Sequence, residues 1–418
     1  MTERREQGIG TGGRAPELWR FVPLAAYARP EAPVGSRAAQ AWETFRKMIR
    51  RSVGAGEGPA RQEHELSMLS EVRLAHLVHP IDWSHASRML DRALAEDASP
   101  QGPGVRFVLG QPHCGHAEIV QGWAERHGAR VLEAPDPHEI LAGGGRWLED
   151  WRPGDGLWAL PRLEHCFLRH AAGLSLVRRL LEVVADGRAG VGVIACDSWA
   201  WAYLERVWPV PQHRVLTLQA FDGEALSSLF ARLAAPRRRR LRFRNAHSGR
   251  ETLAVPRDDD AVGEQLLSLA AHCRGNPGVA WTYWRSSLRA EPEEAGEDFD
   301  DEEAPAAPAA AADRAAATPG ARQEVVWVST HLEEPDLPME GADDVALLLH
   351  ALMLHGGLPE KVFEEVLPMS GAQATALALR LQQQGVIERC EGRWTVAALA
   401  YVPVHQWLRG RDYLTDRF

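Results

Sequence analysis

The chain has 418 residues, 45% of them hydrophobic, and a net charge of −10. That length allows two or three domains, each with its own core, and no window approaches the roughly eighteen uncharged apolar residues of a membrane-spanning helix. Nine acidic residues lie between Glu291 and Glu303, so the remainder is close to neutral, which argues against a global footprint for nucleic acid or an anionic membrane.

Residues 1–35, rich in Gly, Pro, Arg and Glu, read as a flexible tail. Within it the apolar run Leu18 to Leu24 is expected to dock on its own domain. Residues 36–100 read as helical: apolar residues recur at helical spacing from Ser36 to Val53 and from Gln62 to Val78, and a further helix follows from Ser84 to Ala95. After a Pro/Gly-rich break the pattern becomes strand, helix, strand, helix. The expected strands are Val105 to Leu109, Ala129 to Leu132, Gly156 to Leu160, Val191 to Ala195 and Val215 to Gln219, with a long helix over Arg162 to Ala185. Strands separated by helices of this length imply a parallel sheet covered on both faces, here residues 101–222. Residues 223–290 read as helix-rich and 291–322 as a disordered acidic, Ala/Pro-rich linker. Residues 323–418 read as a separate domain of three helices and a hairpin, the order of a winged helix.

Gly110-Gln111-Pro112-His113-Cys114-Gly115-His116-Ala117 carries the chemistry. Two glycines five apart, between a strand and a helix, match a phosphate-binding loop whose backbone N–H groups cradle an anion. The lysine position of that motif holds His116 and the magnesium-ligating hydroxyl position holds Ala117. The third strand should end on acidic residues, but Pro161 and Arg162 follow it, leaving Glu164 as the nearby acid. Favouring a helix N-terminus is a stronger reading for Glu164 than catalysis. At the fourth strand tip, Asp197 or Ser198 fits a γ-phosphate contact and a helix N-cap equally.

The order of these motifs resembles the AAA+ and STAND classes of P-loop ATPase. That resemblance implies a P-loop NTPase α/β sheet, a helical lid and a C-terminal winged helix. It also assigns Pro277, in the turn Gly275-Asn276-Pro277, to nucleotide contact. Where the family has Lys, Ser/Thr, Asp and Asp/Glu, this chain has His116, Ala117, Pro161 and Arg162. A histidine is mostly neutral at pH 7, and alanine and proline offer no side-chain ligand to a metal. Weak ATP or ADP binding is therefore expected, magnesium is not, and the reading is a regulatory pseudo-ATPase acting through protein partners. The alternatives are an ATPase using Glu164 and Asp197, and a DNA-binding regulator.

The five cysteines form no metal-spaced pair, so reduced thiols and a cytoplasmic location are expected. Arg237 to Arg240 is the strongly basic run, read as a solvated loop in preference to a phosphate contact. Residues 341–418 hold seven Lys/Arg against nine Asp/Glu, which favours protein partners, an oligomer included, over nucleic acid.

Overall fold

The computed structural model describes residues 18–30, 66–96, 104–151, 156–208, 215–234, 240–253, 264–291, 323–338 and 342–418. The expected helix at Ser36 to Val53, the acidic linker beyond residue 291 and Arg237 to Arg239 lie outside them.

The apolar tail segment forms β1 (Phe21–Pro23), and β2 (Ser67–Met68), α1 (Glu71–Leu77) and α2 (Ser84–Glu96) follow. Of the helix expected from Gln62, residues 62–65 lie outside the described residues, and among the rest it begins at Glu71, where Ser70 caps it, accepting from Arg73 N–H. Then come β3 (Val105–Gly110), α3 (His116–His127), β4 (Arg130–Val131), α4 (Pro137–Leu141), α5 (Gly145–Trp151), β5 (Leu157–Leu160), α6 (Ser175–Ala185), β6 (Val191–Asp197), α7 (Ser198–Val207) and β7 (Val215–Leu218). The sheet order is β1-β7-β3-β6-β5-β4; all neighbours are parallel except β1, which pairs antiparallel with β7.

Side-chain alternation explains why this sheet is covered twice. Val108, Ala159, Val193 and Leu216 enter one core with Ile119, Val120 and Trp123 of α3. Their neighbours Phe107, Leu109, Leu160 and Ile194 enter a second core with Leu176, Leu180 and Leu204 of α6 and α7. A strand buried on both faces must be apolar at nearly every position, which is how these runs read.

The long helix expected over Arg162 to Ala185 is broken. A 3-10 turn at Leu163–His165 is followed by irregular backbone, and α6 starts only at Ser175. Leu163, Cys166, Phe167 and Leu168 are all buried, a density no single helix face supplies. Gly173 permits the reversal, since a Cβ there would stand 2.6 Å from the Leu168 carbonyl oxygen.

Beyond the sheet come α8 (Gly223–Leu233), β8 (Arg240–Asn245), α9 (Glu264–His272), α10 (Pro277–Ser286), β9 (Leu288–Ala290) and β10 (Gln323–Val328). β2, β9, β10 and β8 make a second sheet that the helix-rich reading did not contain. It takes in β10, which the sequence groups with the C-terminal domain, and Arg240, which lies on its edge strand and not in a loop.

Residues 342–418 form α11 (Ala342–Leu354), α12 (Phe363–Val366), α13 (Gly371–Gln383), β11 (Ile387–Cys390), β12 (Arg393–Val396) and α14 (Tyr401–Arg409). Ser370 and Gln373 build a capping box on α13. Glu391 and Gly392 both have positive φ, 50° and 77°, as a two-residue hairpin turn with the twist of its strands requires. Leu348, Leu377 and Trp394 of this module share one continuous core with Val108 and Trp199 of the sheet domain.

Candidate functional site

β3 ends at Gly110, the chain loops through Gln111 to Gly115, and α3 begins at His116. His113 and Gly115 take left-handed backbone, with φ of 66° and 76°. At Gly110 only a hydrogen fits: a Cβ would lie 2.4 Å from Cys114 Sγ and 2.5 Å from His116 Nδ1. The ring of Trp83 presses on Gly115 just as closely, at 2.3 Å from a Cβ there. No side chain caps α3, so its first N–H groups are left for solvent or an anion.

Above this bend lies a cavity of about 410 Å³. Its floor is Gly115, His116, Ala117, Glu164 and Asp197. Pro80, Ile81 and Trp83 form one wall, Trp281 and Thr282 of α10 another, and Gly356 and Val396 of the C-terminal module close the third.

His116 is the centre of the site's charge. Its Nδ1 stands 3.5 Å from Cys114 Sγ, and its buried Nε2 makes no hydrogen bond and points to Glu164 Oε1 at 3.9 Å. The other carboxylate oxygen of Glu164 accepts the Asp197 backbone N–H at 3.1 Å. Burial disfavours both charges, yet the pair outweighs it. Cys114 and Glu164 together hold His116 well above its ordinary value, and His116 holds Glu164 down to about 2. Asp197 moves the opposite way: burial, reinforced by nearby Glu164, pushes its carboxyl well up despite the attraction of His116. Against the expectation of a mostly neutral ring, the pairing favours the protonated form of the His116 imidazole. Glu164, expected to favour a helix N-terminus, lies in the first turn of a 3-10 helix only three residues long, Leu163–His165.

The other expected residues divide between two sides of the loop. Pro112, His113, Gly115, His116, Ala117 and Asp197 line the cavity. Gly110 and Cys114 lie beneath it, whereas Gln111 turns away to bond Tyr27, Arg274 and Tyr401. Asp197 caps α7, accepting from Trp199 N–H at 2.9 Å. Ser198 does not line the cavity; its hydroxyl donates to Asp416 at 2.5 Å. Pro277 is the first residue of α10, and its neighbour Asn276 makes the contact to the loop.

Asn276 is the residue that sequence reasoning missed. Its Nδ2 donates to the Pro112 carbonyl at 2.7 Å, while Oδ1 accepts from Gly278 and Val279 N–H. A Cβ on Gly278 would fall 1.8 Å from the His113 carbonyl oxygen, so the start of α10 rests directly on the phosphate loop. From the opposite side His113 Nε2 donates to the Val396 carbonyl at 3.0 Å. The signal was available as an Asn directly before a Pro at a helix start.

The cavity suits a phosphate-bearing group: it has uncapped helix N–H donors at the start of α3, and the aromatic walls of Trp83 and Trp281. Ala117 and Pro161 bear no side-chain ligand for a metal, Arg162 lines the cavity paired with Glu118 at 3.1 Å, and the floor carboxylates are Glu164, beside His116, and Asp197.

No protein-family model matches the chain, and no curated protein matches it. Among solved structures it is similar to a chain of Drosophila ORC bound to DNA, with 14% identity, a TM-score of 0.34, and coverage of 89% of this chain and 100% of that one. It is also similar to Cdc6p from Pyrobaculum aerophilum, with 12% identity, a TM-score of 0.29, and coverage of 84% and 100%. A third likeness is to a Walker-type ATPase of Pyrococcus abyssi, with 11% identity, a TM-score of 0.30, and coverage of 79% and 96%.

Proposed function

We propose that this protein is an AAA+/STAND-like pseudo-ATPase, a regulatory or scaffolding subunit that binds a nucleotide weakly and without magnesium. One observation carries the reading: the lysine, hydroxyl and aspartate positions of a P-loop enzyme hold His116, Ala117 and Pro161, and the one cation among them is already neutralised by Glu164. Phosphoryl transfer depends almost wholly on placing positive charge against the β- and γ-phosphates. A cation committed to an internal carboxylate, with no metal beside it, leaves binding but removes that work.

The sheet order, the seating of α10 on the loop and the C-terminal module over the cavity support the family reading. Action through protein contact is supported by α13. Its exposed residues are Ala372, Gln373, Ala376, Leu379, Arg380, Gln382 and Gln383, a single positive charge where a DNA-reading helix would carry several. The second reading, an ATPase working through Glu164 and Asp197, draws support from their burial at the cavity floor.

Titration calorimetry with ATP and ADP, each with and without magnesium, separates the two. The pseudo-ATPase reading expects dissociation constants no tighter than about 10 μM and unchanged within about twofold by magnesium. Metal-enhanced binding, by tenfold or more, would favour the enzyme.

A further inference from the structure

On the far side of the β3–α3 loop the chain holds one of its own carboxylates, Asp416, buried against three polar side chains. Asp416 is 6% exposed overall and its carboxylate 1%. One oxygen accepts from Ser198 Oγ at 2.5 Å and the other from Arg274 Nη2 at 2.9 Å, with His405 Nε2 at 3.4 Å. These three groups come from the β6–α7 junction, the lid turn before α10, and α14. Their side chains are themselves buried or nearly so. Without a carboxylate here, an arginine would be left almost fully desolvated with no counter-charge, which is costly. The pocket is therefore built for an acid.

The residues around Asp416 are held as closely. Leu414 O accepts from His350 Nε2 at 3.0 Å, and the Arg29 guanidinium donates to Arg417 O. The Phe418 ring, 5% exposed, packs 4.8 Å from Tyr27 in the second core. Tyr27 and the Arg274 carbonyl in turn accept from Gln111 of the phosphate loop, whose Oε1 accepts from Tyr401. The segment thus touches the β6–α7 junction, the turn before α10, the C-terminal module and residues 27–29 at once.

We propose that the Arg274–Ser198–His405 pocket, with the apolar slot beside Tyr27, is a recognition site for a peptide bearing Asp two residues before an aromatic. In this state the site is occupied in cis by Asp416 and Phe418. Occupancy holds the lid and the C-terminal module against the phosphate loop. A partner presenting the same motif, a second copy of this chain included, binds by displacing the internal segment.

The test uses the full chain and a fluorescent peptide of sequence Tyr-Leu-Thr-Asp-Arg-Phe, read by anisotropy. A tethered ligand acts at an effective concentration of about millimolar, so micromolar peptide binds the wild type poorly. Asp416→Ala loosens the internal segment, and the peptide then binds about tenfold to hundredfold more tightly than it binds wild type. A peptide with Ala for Asp loses that gain, and so does the chain carrying both Asp416→Ala and Arg274→Ala. Hydrogen exchange of residues 413–418 and of Gln111 to Cys114 rises together in Asp416→Ala, while β6 is unchanged. Should Asp416→Ala fail to fold, Asp416→Asn keeps the shape, removes the charge and gives the same readouts. Equal binding of the Asp and Ala peptides, or exchange that rises in 413–418 with no peptide bound by any variant, would overturn the proposal. Two copies exchanging segments appear as concentration-dependent dimers abolished by Asp416→Ala, which supports it.

Discussion

His116 and Glu164 behave as one group. Each is buried, and each favours the charged form of the other. Removing one partner of a buried pair leaves an uncompensated charge, so His116→Ala should destabilise the fold by about 3–5 kcal/mol in urea denaturation. His116→Ala with Glu164→Ala should cost less than the sum of the two singles, and His116→Lys should stay within about 1 kcal/mol of wild type. Additive singles would mean that the 3.9 Å approach carries no coupling. The sequence places both residues at the phosphate loop but cannot say that they meet. A histidine read alone has an ordinary imidazole, and only the folded turn at Leu163–His165 brings the carboxylate to it.

At the scale of elements, what could be read was what lies in one segment. The buried strands β3, β5, β6 and β7 announce themselves as apolar runs bounded by breakers, and the hairpin of β11 and β12 by Glu391-Gly392. What depends on distant partners did not show. β2, β9 and β10 are two to six residues long and pair across gaps of more than two hundred residues in the widest case, so no local pattern marks the second sheet. The break before α6 likewise follows from tertiary demand, since Arg169 is needed at His350 and its N–H at His355 of the C-terminal module.

The lid joint is testable at this scale. Asn276 serves as helix cap and as tie to Pro112. Asn276→Ala should therefore cost more than an ordinary cap, at about 2 kcal/mol against a typical 1. The same change should raise hydrogen exchange at the first turn of α10 before anywhere in β3. Exchange rising uniformly across the chain would show that the joint is not local.

Across the whole molecule, the C-terminal module is bound to the sheet domain through neutral histidines. His113 and His165 donate from the core side to Val396 O and Gly356 O, while His350 and His355 meet Arg169 from the module side. Burial brings the first three down to about 4 and His355 to about 3, with Arg169 and Arg393 adding repulsion at His355. Each folded value is lower than the unfolded one, about 6.5, so below that pH the unfolded chain takes up protons first. Stability from these groups is complete above about pH 6.5 and is lost as pH falls toward 4. A tenfold change in proton affinity is worth about 1.4 kcal/mol per group, so several such groups matter together. Glu164 contributes in the same direction only at lower pH, since its folded value is about 2, whereas His116 and Asp197, both raised, oppose the loss without matching four histidines. Thermal unfolding scanned from pH 7.5 to 5 should show the melting temperature falling, with the module loosening first by hydrogen exchange in α11 and β12. A flat profile would mean that water reaches these histidines.

A glycine-bounded bend between β3 and α3, closed over by α10 and the C-terminal module with His116 facing Glu164, is the arrangement on which the proposed function stands. Steady-state phosphate release from saturating ATP with magnesium tests it most directly. The account predicts release indistinguishable from buffer, in wild type and in His116→Ala alike. Magnesium-dependent turnover that His116→Ala abolishes would contradict it.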